Sequence, residues 1–216
     1  MIRVTQVLDY FAEPGLIDWK VRVGAREAKK ASIKAMGIGS NVDEWVKADV
    51  VGAKLPKLKT IEAKNCVDAY KRWKEDYKPE LVVAVRLYDH KLGLTGEPDL
   101  YWGDLVIDIK CSREIQQKYW LQMAMYQYMK GGKRTAVLRL DKNLAEYEYV
   151  ERDECWCEQQ VFLGMLGAYK YFNPPMEEER EANGDKDSVT DRKSRSKKLL
   201  DLPENRNNRT GWNRQV

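Results

Sequence analysis

The sequence predicts an α/β fold, with a central mixed β-sheet flanked by helices on both faces. Three observations lead there. Three β-rich runs crowd between residues 81 and 111, close enough to be antiparallel neighbours. A segment of helical period from about 113 to 130 then separates them from two further β-runs, so a helix crosses between strands of one sheet. Helical patterns also precede the first strand and follow the last.

Composition agrees with a soluble domain. The chain has 216 residues, 43% hydrophobic and 33% charged, enough for one real core with some chain left over. No apolar run approaches the roughly 18 residues of a bilayer span, so no membrane partner is expected. The opening MIRVTQVLDYFAEPG lacks a basic flank before an apolar block, which predicts no secretory signal and a cytoplasmic protein. Cys66, Cys111, Cys155 and Cys157 form no CxxC pair and suit neither a disulfide framework nor a zinc knuckle. With His90 as the single histidine, Cys–His and Ser–His mechanisms are nearly excluded. Chemistry on this chain falls to carboxylates, lysine and a metal.

The elements follow in order. Val4 to Trp19 predicts two short helices around a Pro14-Gly15 break. Ala25 to Val51 is a helix with Ala31, Ala35, Ile38, Val42, Trp45 and Val46 on one stripe. Gly37 and Gly39 predict a break in it or a close backbone approach, since glycine costs about 1 kcal/mol inside a helix. Residues 54–59 are a basic loop. Thr60 caps a helix to Tyr77, with Ile61, Val67, Tyr70, Trp73 and Tyr77 near one face. Strands are predicted over 81–88, 93–102 and 105–111, the last two joined by a tight turn at Trp102-Gly103-Asp104. A helix over 113–130 stops at Gly131-Gly132; strands cover 134–140 and 144–150; a last helix covers 154–172. Residues 1–173 thus form one domain with an N-terminal helical part.

Residues 174–216 lack hydrophobic period and are expected to be a charged, disordered tail. Its start (EEEREANGDKD) is acidic. From Ser188 to Val216 there are eight Lys or Arg against three acids, net +5, which leaves −1 for residues 1–187. Arg192, Lys193, Arg195, Lys197 and Lys198 could contact an anionic partner such as DNA, or simply be solvated.

The chemically informative stretch is Gly96-Glu97-Pro98-Asp99 followed by Asp108-Ile109-Lys110. The turn at 102–104 makes Asp99 and Asp108 cross-strand partners, with side chains about 5 Å apart in simple register. Carboxylates that close repel unless a cation lies between them, and oxygen donors suit Mg²⁺ or Mn²⁺. Alternation puts Asp108 and Lys110 on one strand face, with Ile107, Ile109 and Cys111 on the other. An Asp-x-Lys inside an apolar strand is costly unless the strand end opens into a cleft.

Pro98-Asp99 with Asp108-Ile109-Lys110 resembles the PD-(D/E)xK nuclease superfamily. Gln122-Met-Ala-Met-Tyr126 on the next helix is similar to the QxxxY motif of its RecB-like exonuclease branch, which includes phage and CRISPR-associated nucleases. Gly39-Ser40-Asn41-Val42-Asp43 is similar to a helical motif that carries a histidine in the family. The resemblance runs from about residue 35 to 172. It implies a restriction-endonuclease-like core and a Mg²⁺- or Mn²⁺-dependent deoxyribonuclease, with exonuclease action favoured over endonuclease and water activated at the metal. Asp99 and Asp108 would hold the ion with the Ile109 carbonyl, and Lys110 would orient the water. Gln122 and Tyr126 would organise the site and touch DNA. Asp43, with Glu44 as rival, would replace the helical histidine as a ligand. The cysteine positions do not match an iron–sulfur cluster, so none is expected. DNA is the implied partner, together with a recombinase, helicase or single-strand-binding protein, in a bacterium or a phage-infected host, with a role in recombination or repair.

Other readings remain. Asp-x-Lys is often a surface ion pair, and Gln122 and Tyr126 could be ordinary helix residues. Tyr101, Trp102, Tyr119 and Trp120 could stack on bases but more often fill a sheet–helix interface. A DNA-binding adaptor that kept the fold and lost its chemistry is the alternative function.

Overall fold

A computed structural model describes residues 1–11 and 14–174. Residues 1–172 form one compact unit. It opens with a short strand β1 (Ile2–Arg3) and helices α1 (Val4–Tyr10), α2 (Pro14–Val23), α3 (Ala25–Val50) and α4 (Ile61–Tyr77). Strands β2 (Leu81–Val83), β3 (Leu87–Asp89), β4 (Leu94–Gly96), β5 (Leu100–Trp102) and β6 (Leu105–Lys110) follow. Helix α5 (Gln117–Lys130), strands β7 (Arg134–Leu140) and β8 (Tyr147–Arg152), and helix α6 (Trp156–Phe172) complete it. The five-stranded sheet runs β2-β5-β6-β7-β8 and is mixed, because α5 makes β7 parallel to β6 while the other pairs are antiparallel. The predicted α/β class stands.

Side-chain alternation builds a core on each face. Leu100, Leu105, Ile107, Ala136, Leu138 and Leu140 pack on α3 and α4 through Val42, Trp45, Val67, Tyr70 and Trp73. Tyr101, Val106 and Val137 face the other way, onto α1, α5 and α6. A strand buried on both sides must be apolar throughout, and LVIDIK meets that except at Asp108 and Lys110.

The structure differs from the sequence reading at several elements. The predicted strand 81–88 is two strands, β2 and β3, and 93–102 is likewise β4 and β5. β3 and β4 leave the large sheet and pair with β1 in a second one of three strands. Yet one antiparallel register runs through both sheets: Leu81 faces Trp102, and Leu87 faces Gly96. The ribbon bends at 84–86 and 97–99, where Pro98 has no N–H for a ladder bond. The bend is held by Ala84 N–H donating to the Asp99 carbonyl and by Arg86 donating to Glu97 Oε2 at 2.6 Å.

Helix α3 passes unbroken through Gly37 and Gly39, and neither has a heavy atom within 4 Å of where a Cβ would stand. The predicted break or close approach is corrected; two isolated glycines are outweighed by good helix formers around them. Ile61 is 65% exposed rather than on the buried face of α4, which Ala63, Cys66 and Ala69 occupy instead. α5 starts near 117, not 113, and β8 starts at Tyr147 because Asp141 holds a turn with the N–H groups of Asn143 and Leu144. No helix among the described residues is long and apolar enough to cross a membrane.

Thr60 caps α4 as read, accepting from the Ala63 N–H at 3.1 Å. Thr60→Ala should therefore lower unfolding free energy by about 1 kcal/mol in urea titrations, with an unchanged slope.

Candidate active site

The β5–β6 hairpin sets the site. Leu100 faces Ile107, Tyr101 faces Val106 and Trp102 faces Leu105, across a two-residue turn at Gly103-Asp104. Gly103 takes φ +58°, a conformation glycine adopts freely at the first position of such turns. Extending that register by one residue sets Asp99 opposite Asp108. Asp99 stands just outside β5 at the bend, and its Oδ2 accepts the Ile109 N–H at 2.6 Å. The first carboxylate is thereby tied to the backbone of the strand that carries the second.

Asp108 is 2% exposed. Its Oδ1 accepts from Gln122 Nε2 at 3.4 Å, and Lys110 Nζ forms an ion pair with Oδ2. Gln122 also donates to the Tyr126 hydroxyl at 2.8 Å, so it bridges the acid and the phenol. One face of α5 thus supplies Gln122 and Tyr126, four residues apart, to the strand face that carries Asp108 and Lys110. Tyr119, one turn earlier, lays its ring 5.2 Å from the Lys110 ammonium.

The charges act on one another. Burial, then the Asp108 carboxylate, pushes the half-buried Asp99 up to about 8, against the pull of Lys110. Burial works against the Lys110 charge, but Asp108 and Asp99 outweigh it and hold its pKa above the ordinary lysine value. Lys110 therefore stays a cation and a hydrogen-bond donor, not a proton acceptor. Burial, then Asp108, raises the Tyr126 phenol, which keeps its proton.

Helix α3 closes the site from the other side. Its half-buried Asp43 acts on Asp99 electrostatically. Asp43 Oδ2 pairs with Lys47 Nζ at 3.0 Å, one turn along. Glu44, the rival ligand, is exposed. The structure thus brings Asp43, Asp99, Asp108, Lys110, Gln122 and Tyr126 to one neighbourhood. Arg192, Lys193, Arg195, Lys197 and Lys198 lie outside the described residues. Tyr101 and Trp120 are buried in the core.

Sequence reading missed two residues. Burial lowers the Lys47 pKa, but Asp43, with Asp99 and Glu97 behind it, raises it more, which marks Lys47 as a second cation at the acidic centre. Its helical spacing from Asp43 was the available signal. Gly96 is the other. A Cβ there would stand 2.5 Å from Tyr126 Cε1, so only glycine lets that ring lie against β4. Beside it a cavity of about 200 Å³ is lined by Arg3, Thr5, Arg86, Glu97 and Tyr126, among others.

The donor set fits a hard divalent cation. Asp108 Oδ2 is enclosed with the Lys110 ammonium against it, and Asp99 is destabilised as an anion by burial and then by Asp108. No group of three or more His, Cys, Asp or Glu side chains forms a ready-made metal cluster among the described residues. Asp99, Asp108 and the Ile109 carbonyl are the groups available to hold an ion, with Asp43 nearby.

No protein-family model and no curated protein matches the chain. Among solved structures it is similar to an alkaline exonuclease (LHK-Exo) from Laribacter hongkongensis. That pair is 14% identical over 85% of this chain and 93% of the other, with a TM-score of 0.43. LHK-Exo in complex with dAMP matches at 20% identity over 68% and 85% of the two chains, TM-score 0.36. A phage-related exonuclease from Haemophilus somnus 129PT matches at 17% identity over 59% and 75%, TM-score 0.35. At these scores the residues of the site, not the likeness, must carry any functional reading.

An Asp whose folded pKa lies near 8 rather than 3.8 favours the fold while protonated, and that benefit is lost as pH rises from about 4 to about 8. Asp99→Asn should therefore stabilise the protein in EDTA by a few degrees in Tm near pH 8 and by little near pH 4 (on the order of 2–4 °C per kcal/mol). Thermal scans across that range check it. Mg²⁺ should raise the wild-type Tm at pH 8 and leave the variant nearly unmoved.

Proposed function

We propose that this chain is a divalent-metal-dependent deoxyribonuclease acting from DNA ends. The observation that carries the reading is the facing pair Asp99 and Asp108, with Lys110 on the same strand face and Gln122–Tyr126 behind it. Bound between the carboxylates, Mg²⁺ or Mn²⁺ would supply Lewis acidity toward a phosphate oxygen and toward water.

The residues do the rest. Asp99 and Asp108, with the Ile109 carbonyl, would hold the ion, and Asp43 would add negative charge nearby. Lys110 stays protonated and donates toward the water and the charge that grows on the phosphoryl oxygens. Gln122 holds Asp108 by its amide and donates to the hydroxyl of Tyr126, a buried ring that fixes the Gln122 side chain behind the carboxylate. Water oxygen bonds to phosphorus, the bond to the 3′-oxygen breaks, and the products are a 5′-phosphate and a 3′-hydroxyl. The cavity beside Tyr126 is lined by Arg3, Thr5 and the Arg86–Glu97 ion pair, so Arg3 is the cation in its wall left for a phosphate among the described residues. The implied recombinase, helicase or single-strand-binding partner stays part of this reading, as does a role in recombination or repair.

End-labelled linear and closed circular DNA, digested with Mg²⁺, Mn²⁺ or EDTA, tests all of this together. Linear DNA should be shortened with either ion, circles should survive, and EDTA should stop the reaction. Binding without cleavage under every condition would assign the chain to the adaptor alternative instead. Lys110→Ala should reduce the rate at least about 10²-fold, the scale of one oxyanion donor, with DNA affinity within a few-fold. Gly96→Ala should also slow cleavage, by displacing Tyr126, with DNA affinity again within a few-fold.

A further inference from the structure

Helix α3 is longer than the core it covers. Its C-terminal half packs Ile38, Val42, Trp45 and Val46 inward, whereas from Ala25 to Gly37 only Ala28 is buried. Residues three and four apart share one face of a helix. Arg26, Lys29, Ile33, Met36, Ser40, Asp43 and Lys47 follow that spacing and make one stripe. Arg26 to Ser40 are all exposed along it, and the stripe becomes half-buried at Asp43 and Lys47, where it meets the acidic centre.

The region is basic, and ion pairing distinguishes the stripe within it. Residues 14–36 carry six Lys or Arg against two acids, while residues 1–187 as a whole sum to −1. Off the stripe, Lys30 pairs with Glu27 at 2.8 Å and Lys34 with Glu62 at 2.6 Å. Among the described residues Arg26 and Lys29 have no ionic partner. Between them and the site, Ile33 and Met36 are 56% and 63% exposed.

We propose that this stripe of α3 is the track along which a DNA strand runs to the active site, with phosphates on Arg26 and Lys29 and sugars or base faces on Ile33 and Met36. The proposal rests on the nuclease reading above and deepens it. Two cations that pair with no carboxylate among the described residues are free to release counterions on meeting phosphate. Exposed Ile and Met side chains make the apolar contacts that nucleic-acid-binding surfaces offer to bases. At about 1.5 Å per residue, Arg26 lies about 25 Å along the axis from Asp43. That is about seven steps of strand at B-form spacing, so the track engages long strands and not short ones.

The test compares two double variants with equal charge change on one helix, in the full chain: Arg26→Ala/Lys29→Ala on the stripe and Lys30→Ala/Lys34→Ala off it. Binding of a labelled 30-nucleotide strand is measured by anisotropy in EDTA, from 50 to 200 mM salt. Cleavage of a four-nucleotide strand is measured with Mg²⁺. The stripe variant should bind the long strand about tenfold more weakly, with a salt slope reduced by about 1.4, the single-strand value for two lost cations. It should cut the short strand at the wild-type rate. The off-stripe variant should match wild type in both assays. Equal losses in the two variants, or no loss in either, overturn the track. Ile33→Ser/Met36→Ser should weaken long-strand binding with the slope kept; a change from dimer to monomer in light scattering instead would assign the pair to self-association and overturn its place in the track. If the wild type cuts neither strand, the nuclease reading falls, while the binding comparison still decides the stripe.

Discussion

Two acidic side chains set face to face across a buried ladder are in conflict, and much of this structure manages that conflict. Asp99 and Asp108 are brought together by the register of the β5–β6 hairpin, not by any attraction between them. The Ile109 N–H, the Gln122 amide and the Lys110 ammonium each take up part of the charge. They do not remove it, since burial and then the Asp108 charge still push the Asp99 carboxyl well above the usual carboxylate range. Perturbed carboxylates of this kind cluster at functional sites, and the proposed function draws on that cost.

The surrounding elements are arranged by the same demand. β6 is apolar on the α4 side at Ile107 and Ile109 and polar on the α5 side at Asp108 and Lys110, so its two faces meet different helices. α5 answers the polar face with Tyr119, Gln122 and Tyr126, while its other turns bury Trp120, Met123 and Met125. The glycine of the Gly96-Glu97-Pro98-Asp99 run makes room for the Tyr126 ring. Local sequence and tertiary packing therefore agree around one small volume.

Most of this was legible in the chain. Alternation in LVIDIK placed Asp108 and Lys110 on one face, helical spacing joined Gln122 to Tyr126, and Thr60 announced its own cap. What failed did so for physical reasons. Strand propensity in 81–88 is continuous, so the break between β2 and β3 leaves no mark there, while in 93–102 Gly96 and Pro98 interrupt the run at the place where the ribbon bends. Gly37 and Gly39 carry a propensity cost that the tertiary packing of α3 overrides. Helical spacing tied Lys47 to Asp43, but its place at the acidic centre also depends on Asp99 and Glu97, distant in sequence and close in space.

The bent ribbon also bears on how such a chain can drift. Its register is unbroken from Leu81 to Gly96 and on through Trp102, so a single inserted residue between Asp99 and Trp102 would turn Asp99 to the opposite side of the strand. Extra residues at the tip, between Asp89 and Leu94, would change neither pairing nor facing. Length variation in descendants of this sequence should accumulate at that tip and be purged a few residues away.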